Sequence, residues 1–208
     1  MRTIHTEEII SNIRQMCIEA NHMLTPDMQK ALECAVTDEK SPIGQKVLGQ
    51  LQDNLQIAQE DTIPICQDTG IVNIFLKVGM NVRWEGFSGS IHDAVNEGVR
   101  RAYTFPENKL RASVVNDPQF ERKNTKDNPP AIIMMDIVPG DTVEITLGAK
   151  GGGSENKSSL KMLNPSDSLV DHVIDTVKHM GAGWCPPGII GIGIGGTAEK
   201  AVLMAKEA

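Results

Sequence analysis

The feature that most constrains this chain is a change of hydrophobic period at Pro64-Ile65-Cys66-Gln67-Asp68-Thr69-Gly70. Before it, apolar residues recur at helical spacing. After it, Ile71-Val72-Asn73-Ile74-Phe75-Leu76-Lys77-Val78 reads as a strand. The junction sets a cysteine beside an amide, a carboxylate and a hydroxyl, and closes with a glycine that tolerates backbone most residues resist. A thiolate can bind metal and a carboxylate can move a proton. The same stretch also reads as a polar turn with one buried cysteine.

Three helices are expected upstream, a helical lead over residues 1–60. His5 to Met23 is amphipathic, with Ile9, Ile13, Met16 and Ala20 on one face. Cys17 lies on or beside that face, as packing. Thr25-Pro26 starts a second helix, in which Cys34 reads as core rather than ligand. After the polar break Asp38-Glu39-Lys40, Ser41-Pro42 caps a third helix to about Glu60, with Ile43, Val47, Leu51, Leu55 and Ala58 as its apolar set.

Downstream, Gly79 to Gly89 reads as a loop and Ser90 to Tyr103 as a helix with His92 on its surface. Phe105 to Asn128 is irregular and charged; such long segments inside a domain are usually functional or disordered. Two strands, Ala131 to Val138 and Thr142 to Ala149, flank the turn signal Pro139-Gly140-Asp141 and are expected to pair as a hairpin. The second runs into Lys150-Gly151-Gly152-Gly153-Ser154-Glu155-Asn156-Lys157-Ser158. That loop can cradle an oxyanion with its backbone N–H groups, or serve as a flexible exit from the hairpin. Pro165 to Met180 is a helix with Leu169, Val173, Ile174 and Val177 inward. Cys185 precedes two prolines, whose stiff backbone would hold its sulfur direction. Ile189 to Ile194 reads as a buried strand, and Thr197 to Ala208 as a helix. No capping glycine, closing strand or polar tail follows, so the chain is expected to be cut short of its natural domain end.

A net charge of −7 argues against nonspecific nucleic-acid binding, which needs a basic face. No apolar run approaches the roughly 18 residues of a membrane span, and the start does not read as a secretory signal. A soluble, reducing, cytoplasmic setting is therefore the expectation. None of Cys17, Cys34, Cys66 and Cys185 forms a C-x-x-C pair, which speaks against a zinc knuckle or a thioredoxin motif. Four Phe, two Trp and one Tyr leave the core to aliphatic side chains.

Four segments occur in one order: Pro-Ile-Cys-Gln-Asp-Thr-Gly, Asn-Thr-Lys-Asp-Asn-Pro-Pro-Ala, Lys-Gly-Gly-Gly-Ser-Glu-Asn-Lys-Ser and Gly-Trp-Cys-Pro-Pro-Gly. Together they resemble the class I, iron–sulfur-dependent fumarate hydratases, specifically the N-terminal domain of the single-chain form or the alpha subunit of the two-subunit form. The resemblance covers nearly all of residues 1–208 and implies one N-terminal catalytic domain, incomplete here, of mixed α/β (α+β) class. Helices would lead into small sheets with at least one antiparallel hairpin.

The resemblance implies a 4Fe-4S cluster held by three cysteines, with one iron open to the hydroxy acid. Cys66 and Cys185 match two of the ligands, and the third lies in a region this chain does not contain. Gln67 and Asp68 match substrate-contacting positions, with Asp68 a candidate for proton transfer or orientation. Arg111 matches an arginine that binds a substrate carboxylate, a role its planar fork suits better than lysine would. Gly151, Gly152 and Gly153 match a segment lining the pocket. The implied reaction is reversible hydration of fumarate to malate. The implied partner is a beta subunit or C-terminal domain, in a homo-oligomer of the complete enzyme, and the chain alone is expected to be inactive.

Two other functions stay open at this point. Within the family, tartrate or another 2-hydroxy acid could be the substrate, although the glycine segment looks like the fumarase version. From another class, Gly191-Ile192-Gly193-Ile194-Gly195-Gly196 matches G-x-G-x-x-G and could mark a nucleotide-binding module, a weak signal without the acid expected about twenty residues on.

Overall fold

The computed structural model describes residues 1–86 and 88–208. Its first unit, Met1–Lys150, opens with a short strand, β1 (Arg2–His5), that runs directly into α1 (Thr6–His22). The expected first helix is present, but its buried face is Ile9, Ile10, Ile13, Cys17 and Asn21, and Ala20 is exposed. α2 (Pro26–Asp38) and α3 (Pro42–Glu60) follow where their prolines place them, and the Ser41 hydroxyl accepts the Gly44 N–H. These two helices bury only Leu32 and Ala58. Cys34 is exposed rather than core, and Ile43 is 78% exposed. Helical periodicity tells which side of a helix is apolar, not whether this chain covers that side.

β2 (Ile71–Gly79) is the central strand. Val72, Ile74, Leu76 and Val78 alternate along it and are all buried, as a strand with one face on a core requires. They form one cluster with Ile13 and Cys17 of α1 and with Val95, Val99 and Ala102 of α4 (Ile91–Thr104). Ser90 starts α4 with a complete capping box: its side chain takes the Asp93 N–H, and the Asp93 carboxylate takes the Ser90 N–H. α1 and α4 approach closely at Gly98, where an added Cβ would lie 2.7 Å from the Ile13 Cβ.

The region expected as a loop, Gly79 to Gly89, contains β3 (Val82–Glu85), which pairs in parallel with β1. Phe87 lies outside the described residues. Neither short strand shows enough alternation to stand out in sequence; the pairing is long-range, and the Thr6 hydroxyl secures it by donating to the Glu85 carbonyl.

Between α4 and the remaining strands lie a 3₁₀ turn at Pro106–Asn108 and the two-residue strands β4 (Val115–Asn116) and β5 (Lys123–Asn124), an antiparallel hairpin. Then come β6 (Ile132–Val138) and β7 (Val143–Lys150). The two are not partners, contrary to the hairpin expected of them. The sheet order is β6-β2-β7, with β6 parallel and β7 antiparallel to β2. Two strand spacings are about 10 Å, a gap that the Pro139–Thr142 link spans easily. The turn arches over the end of β2, and Gly79, Met80 and Asn81 donate N–H groups to Thr142, Val138 and Gly140. The fold class stands, a mixed α/β chain with antiparallel strands.

The second unit is Gly151–Ala208. It holds a single helical turn, α5 (Gly152–Glu155), then α6 (Leu169–Met180) and α7 (Ala198–Glu207). Leu169, Ile174 and Val177, expected inward, are exposed, while Val173 is half-buried. Ile189 to Ile194 is not a buried strand. No strand occurs among the described residues of this unit to pair with it, and Ile189 and Ile194 are 57% and 60% exposed. Its glycines serve packing instead. A Cβ on Gly191 or Gly193 would come within 1.9 Å of the Ala205 or Ala201 carbonyl oxygen, so only bare backbone fits against α7 there. The strand that a dinucleotide fingerprint needs ahead of its glycines is therefore missing from the described residues. No described helix is long and apolar enough to cross a membrane.

Candidate active site

The polar junction of the first unit is a short exposed bend held between two anchors. Upstream, the Ile65 N–H donates to the Asn21 carbonyl at the end of α1 (2.8 Å), and the Asn54 amide of α3 donates to the Ile65 carbonyl (3.0 Å). Downstream, Thr69 and Gly70 are buried, and Gly70 takes a left-handed backbone (φ +76°) as the chain turns into β2. Between the anchors, Cys66 and Asp68 are half-buried and Gln67 is exposed. The Asp68 N–H points at the Cys66 sulfur (3.4 Å), whose S–H faces the Gln67 side-chain oxygen at the same distance.

Arg111 comes to this bend through Thr69. The Thr69 hydroxyl accepts the Arg111 N–H (2.9 Å) and donates to the Arg111 carbonyl (2.7 Å), while the Arg111 residue itself is exposed. The Tyr103 hydroxyl donates to the Thr69 carbonyl (2.6 Å). Burial and the buried thiol of Cys17 both push the Tyr103 phenol upward, so it stays a neutral donor.

Asn128, 1% exposed, stitches the same two segments again. Its amide donates to the Gly70 carbonyl (3.1 Å), and its carbonyl accepts the N–H groups of Ser113 (2.6 Å) and Val114 (3.3 Å). Asn128 sits at φ +73°, a region asparagine tolerates better than most residues. Asn124 adds a bond to the Ala112 carbonyl (2.8 Å). The Asn-Thr-Lys-Asp-Asn motif is thus the scaffold of the Arg111 segment. Thr69 and Asn128 fall inside motifs that the sequence singles out, without an individual role assigned to either, and Tyr103 has no signal there beyond ending a helical segment.

In the second unit the glycine segment winds into α5 and is not a flexible exit. The Glu155 N–H and the Ser154 hydroxyl both bond to the Gly151 carbonyl (2.9 Å each). Gly153 lies against the Gly183 carbonyl, which would be 2.8 Å from an added Cβ, and the Lys157 side chain lies across Gly183. The Gly151–Gly153 segment and the Gly183-Trp184-Cys185 segment therefore meet within this unit. Cys185 is exposed, and the Trp184 ring covers Gly188.

The family model described as Fumarate hydratase (Fumerase) matches residues 10–208. The chain belongs to the fumarate hydratase family. Among its relatives is a putative L(+)-tartrate dehydratase subunit alpha of Methanocaldococcus jannaschii, 39% identical over 198 residues, covering 91% of this chain and 68% of the relative. The aerobic class I fumarate hydratase of Escherichia coli is 34% identical over 197 residues, 91% of this chain and 35% of that enzyme. The anaerobic enzyme of the same organism is 30% identical over 205 residues, 96% and 37% respectively. This fumarate hydratase-family chain thus spans about two thirds of the alpha-subunit relative and about a third of the two class I fumarate hydratases.

Thiol environment separates the four cysteines of the family member. Cys17 is fully buried in α1, and desolvation pushes its thiol up to about 12, which makes it a core side chain. Cys34 sits mid-helix on α2. Cys66 and Cys185 lie on non-helical backbone with their residues reachable from solvent, and soft thiolates are the donors iron–sulfur clusters take. Each of these two thiols, taken within its own unit, is of the donor type such a cluster uses, and no described group of three His, Cys, Asp or Glu residues converges as a complete set.

Proposed function

We propose that this chain is the alpha-type component of a hydro-lyase that interconverts fumarate and malate with a 4Fe-4S cluster. Cys66 and Cys185 are the proposed thiolate ligands, and a beta subunit or C-terminal domain would supply the remainder of the site. What supports the reading is the double hydrogen bond through which Thr69 brings the Arg111 backbone beside the Cys66-Gln67-Asp68 bend. The second reading, an alpha subunit acting on tartrate, is favoured by the M. jannaschii relative at 39% identity.

In the dehydration direction malate loses hydroxide from one carbon and a proton from the next. The C–H electron pair becomes the double bond, giving fumarate and water. The chemistry a bound cluster supplies is Lewis acidity toward the leaving hydroxyl. Arg111 grips a carboxylate with its planar fork, which fixes the reacting carbons relative to the bend. Gln67 offers an amide donor to substrate oxygen. Asp68 takes or orients the proton beside the carboxylate. Gly151, Gly152 and Gly153 are the proposed backbone contacts to substrate, with Gly153 also fitting against the Gly183 carbonyl.

The test is co-expression with the partner subunit or C-terminal part, anaerobic iron and sulfide reconstitution, absorption and EPR spectra, and turnover of malate, fumarate and tartrate. The proposal expects a cluster signal and malate–fumarate turnover from the assembled enzyme, and loss of both in Cys66→Ala. Turnover of tartrate alone would favour the second reading. Full turnover by Cys66→Ala would end the cluster assignment.

A further inference from the structure

Where Cys66–Gly70 meets residues 111–114 no regular strand ladder joins the two segments, and side chains take its place. In an antiparallel ladder a facing pair of residues exchanges an N–H and a carbonyl bond through the backbone. Here the hydroxyl of Thr69 plays both parts toward Arg111, as acceptor of its N–H and donor to its carbonyl. Thr69 is itself 1% exposed, and the Tyr103 hydroxyl fixes its carbonyl. Asn128 ties the same two segments one and two residues further along, donating to the Gly70 carbonyl and accepting the Ser113 N–H. Both main-chain groups of Arg111 are therefore held at one point, and the Cα–Cβ direction of that residue follows from the bond pair.

We propose that Thr69 is the positioning residue for Arg111: its hydroxyl sets the direction in which the guanidinium leaves the backbone, and so decides how a substrate carboxylate lies against the Cys66–Asp68 bend. This rests on the reading in which Arg111 binds that carboxylate. Serine keeps both bonds and valine, of the same shape, keeps neither. Valine also leaves an N–H and a carbonyl without their partner, a loss that is large compared with one made bond.

The experiment uses the chain assembled with its partner part. It compares Thr69→Val, Thr69→Ser, Arg111→Lys and the Thr69→Val/Arg111→Lys double variant. Malate, fumarate and tartrate are the probes, with amide hydrogen exchange of residues 110–114 as a readout independent of turnover. In the unaltered protein the Arg111 N–H should be protected, and Thr69→Val should speed its exchange by about tenfold or more. Thr69→Val should raise KM about tenfold with a smaller change in kcat, and Thr69→Ser should restore KM to within about twofold. In the Arg111→Lys background the Thr69→Val change should add less than about twofold, because the clasp then has no fork to aim. Rapid exchange at Arg111 in the unaltered protein would remove the clasp. Faster exchange in Thr69→Val with an unmoved KM, or simple multiplication of the two variants' effects, would make Thr69 a structural residue only. An unchanged KM for all three probes in Arg111→Lys would overturn the carboxylate reading itself, while the exchange result still reports on the clasp.

Discussion

Two helical glycines, Gly49 in α3 and Gly98 in α4, make a matched pair whose alanine variants should differ. Replacing glycine by alanine inside a helix gains about 0.8–1.0 kcal/mol from backbone entropy and propensity. At Gly49 an added Cβ meets nothing within 4 Å, so the gain stands alone. At Gly98 the same Cβ would lie 2.7 Å from the Ile13 Cβ, 2.8 Å from the Ile10 carbonyl oxygen and 2.9 Å from the Ile13 Cγ2. Two of these atoms move only with the backbone of α1. Carbon–carbon contacts prefer about 3.5–4.0 Å, so the helices must part by about 1 Å, and overpacking of this kind costs about 1–3 kcal/mol. The propensity gain is common to both sites and cancels in the comparison. Gly98→Ala should therefore be less stable than Gly49→Ala by about 1–3 kcal/mol. Hydrogen exchange reads each helix separately. Gly49→Ala should slow α3 amide exchange by about fourfold, and Gly98→Ala should leave α4 unchanged or speed it by up to about 30-fold. Equal slowing in both variants would refute the close approach of α1 and α4.

Three further outcomes are expected. His22 is buried at the end of α1, and desolvation, aided by Lys109 and opposed by a backbone bond at Asn108, lowers its pKa below the usual 6.5. The unfolded chain then takes up a proton that the folded chain refuses. Stability should be full above about 6.5 and fall with pH below it, by at most about 1.4 kcal/mol per pH unit, and urea titrations of His22→Gln should show a flatter slope. Iodoacetamide should label exposed Cys34 in the native protein and buried Cys17 only after unfolding, as peptide mapping would show. Ile74→Ala, at a fully buried position of the central strand, should lower stability by about 2–5 kcal/mol in urea unfolding of the first unit.

Local signals in the sequence carried far into the fold. Ser41-Pro42 announces a helix start because capping is settled within four residues. The alternation of β2 announces a strand because one face must be dry. What the sequence did not carry was partnership. β6 and β7 read as a hairpin because the turn between them is strong, yet a turn fixes the distance between strand ends and not which strand fills the gap. Ile189–Ile194 read as a strand from its apolar run, and Gly191 and Gly193 face a helix instead. At the candidate site, Arg111 and the Cys66 bend are 45 positions apart in sequence, and the hydroxyl that joins them belongs to a residue with no chemical role of its own. Such joining residues have no signature except that a buried polar group must find a partner.

The position of the Cys66 bend between two anchors bears on the order in which such a protein is put together. Asn21 and Asn54 hold one end and Thr69 the other, and the cluster of Val72, Ile74 and Leu76 beneath includes no atom of Cys66. The bonds that hold the bend come from the first unit itself. Under the proposed cluster reading, the bend would be held at both ends before a cluster is delivered to it.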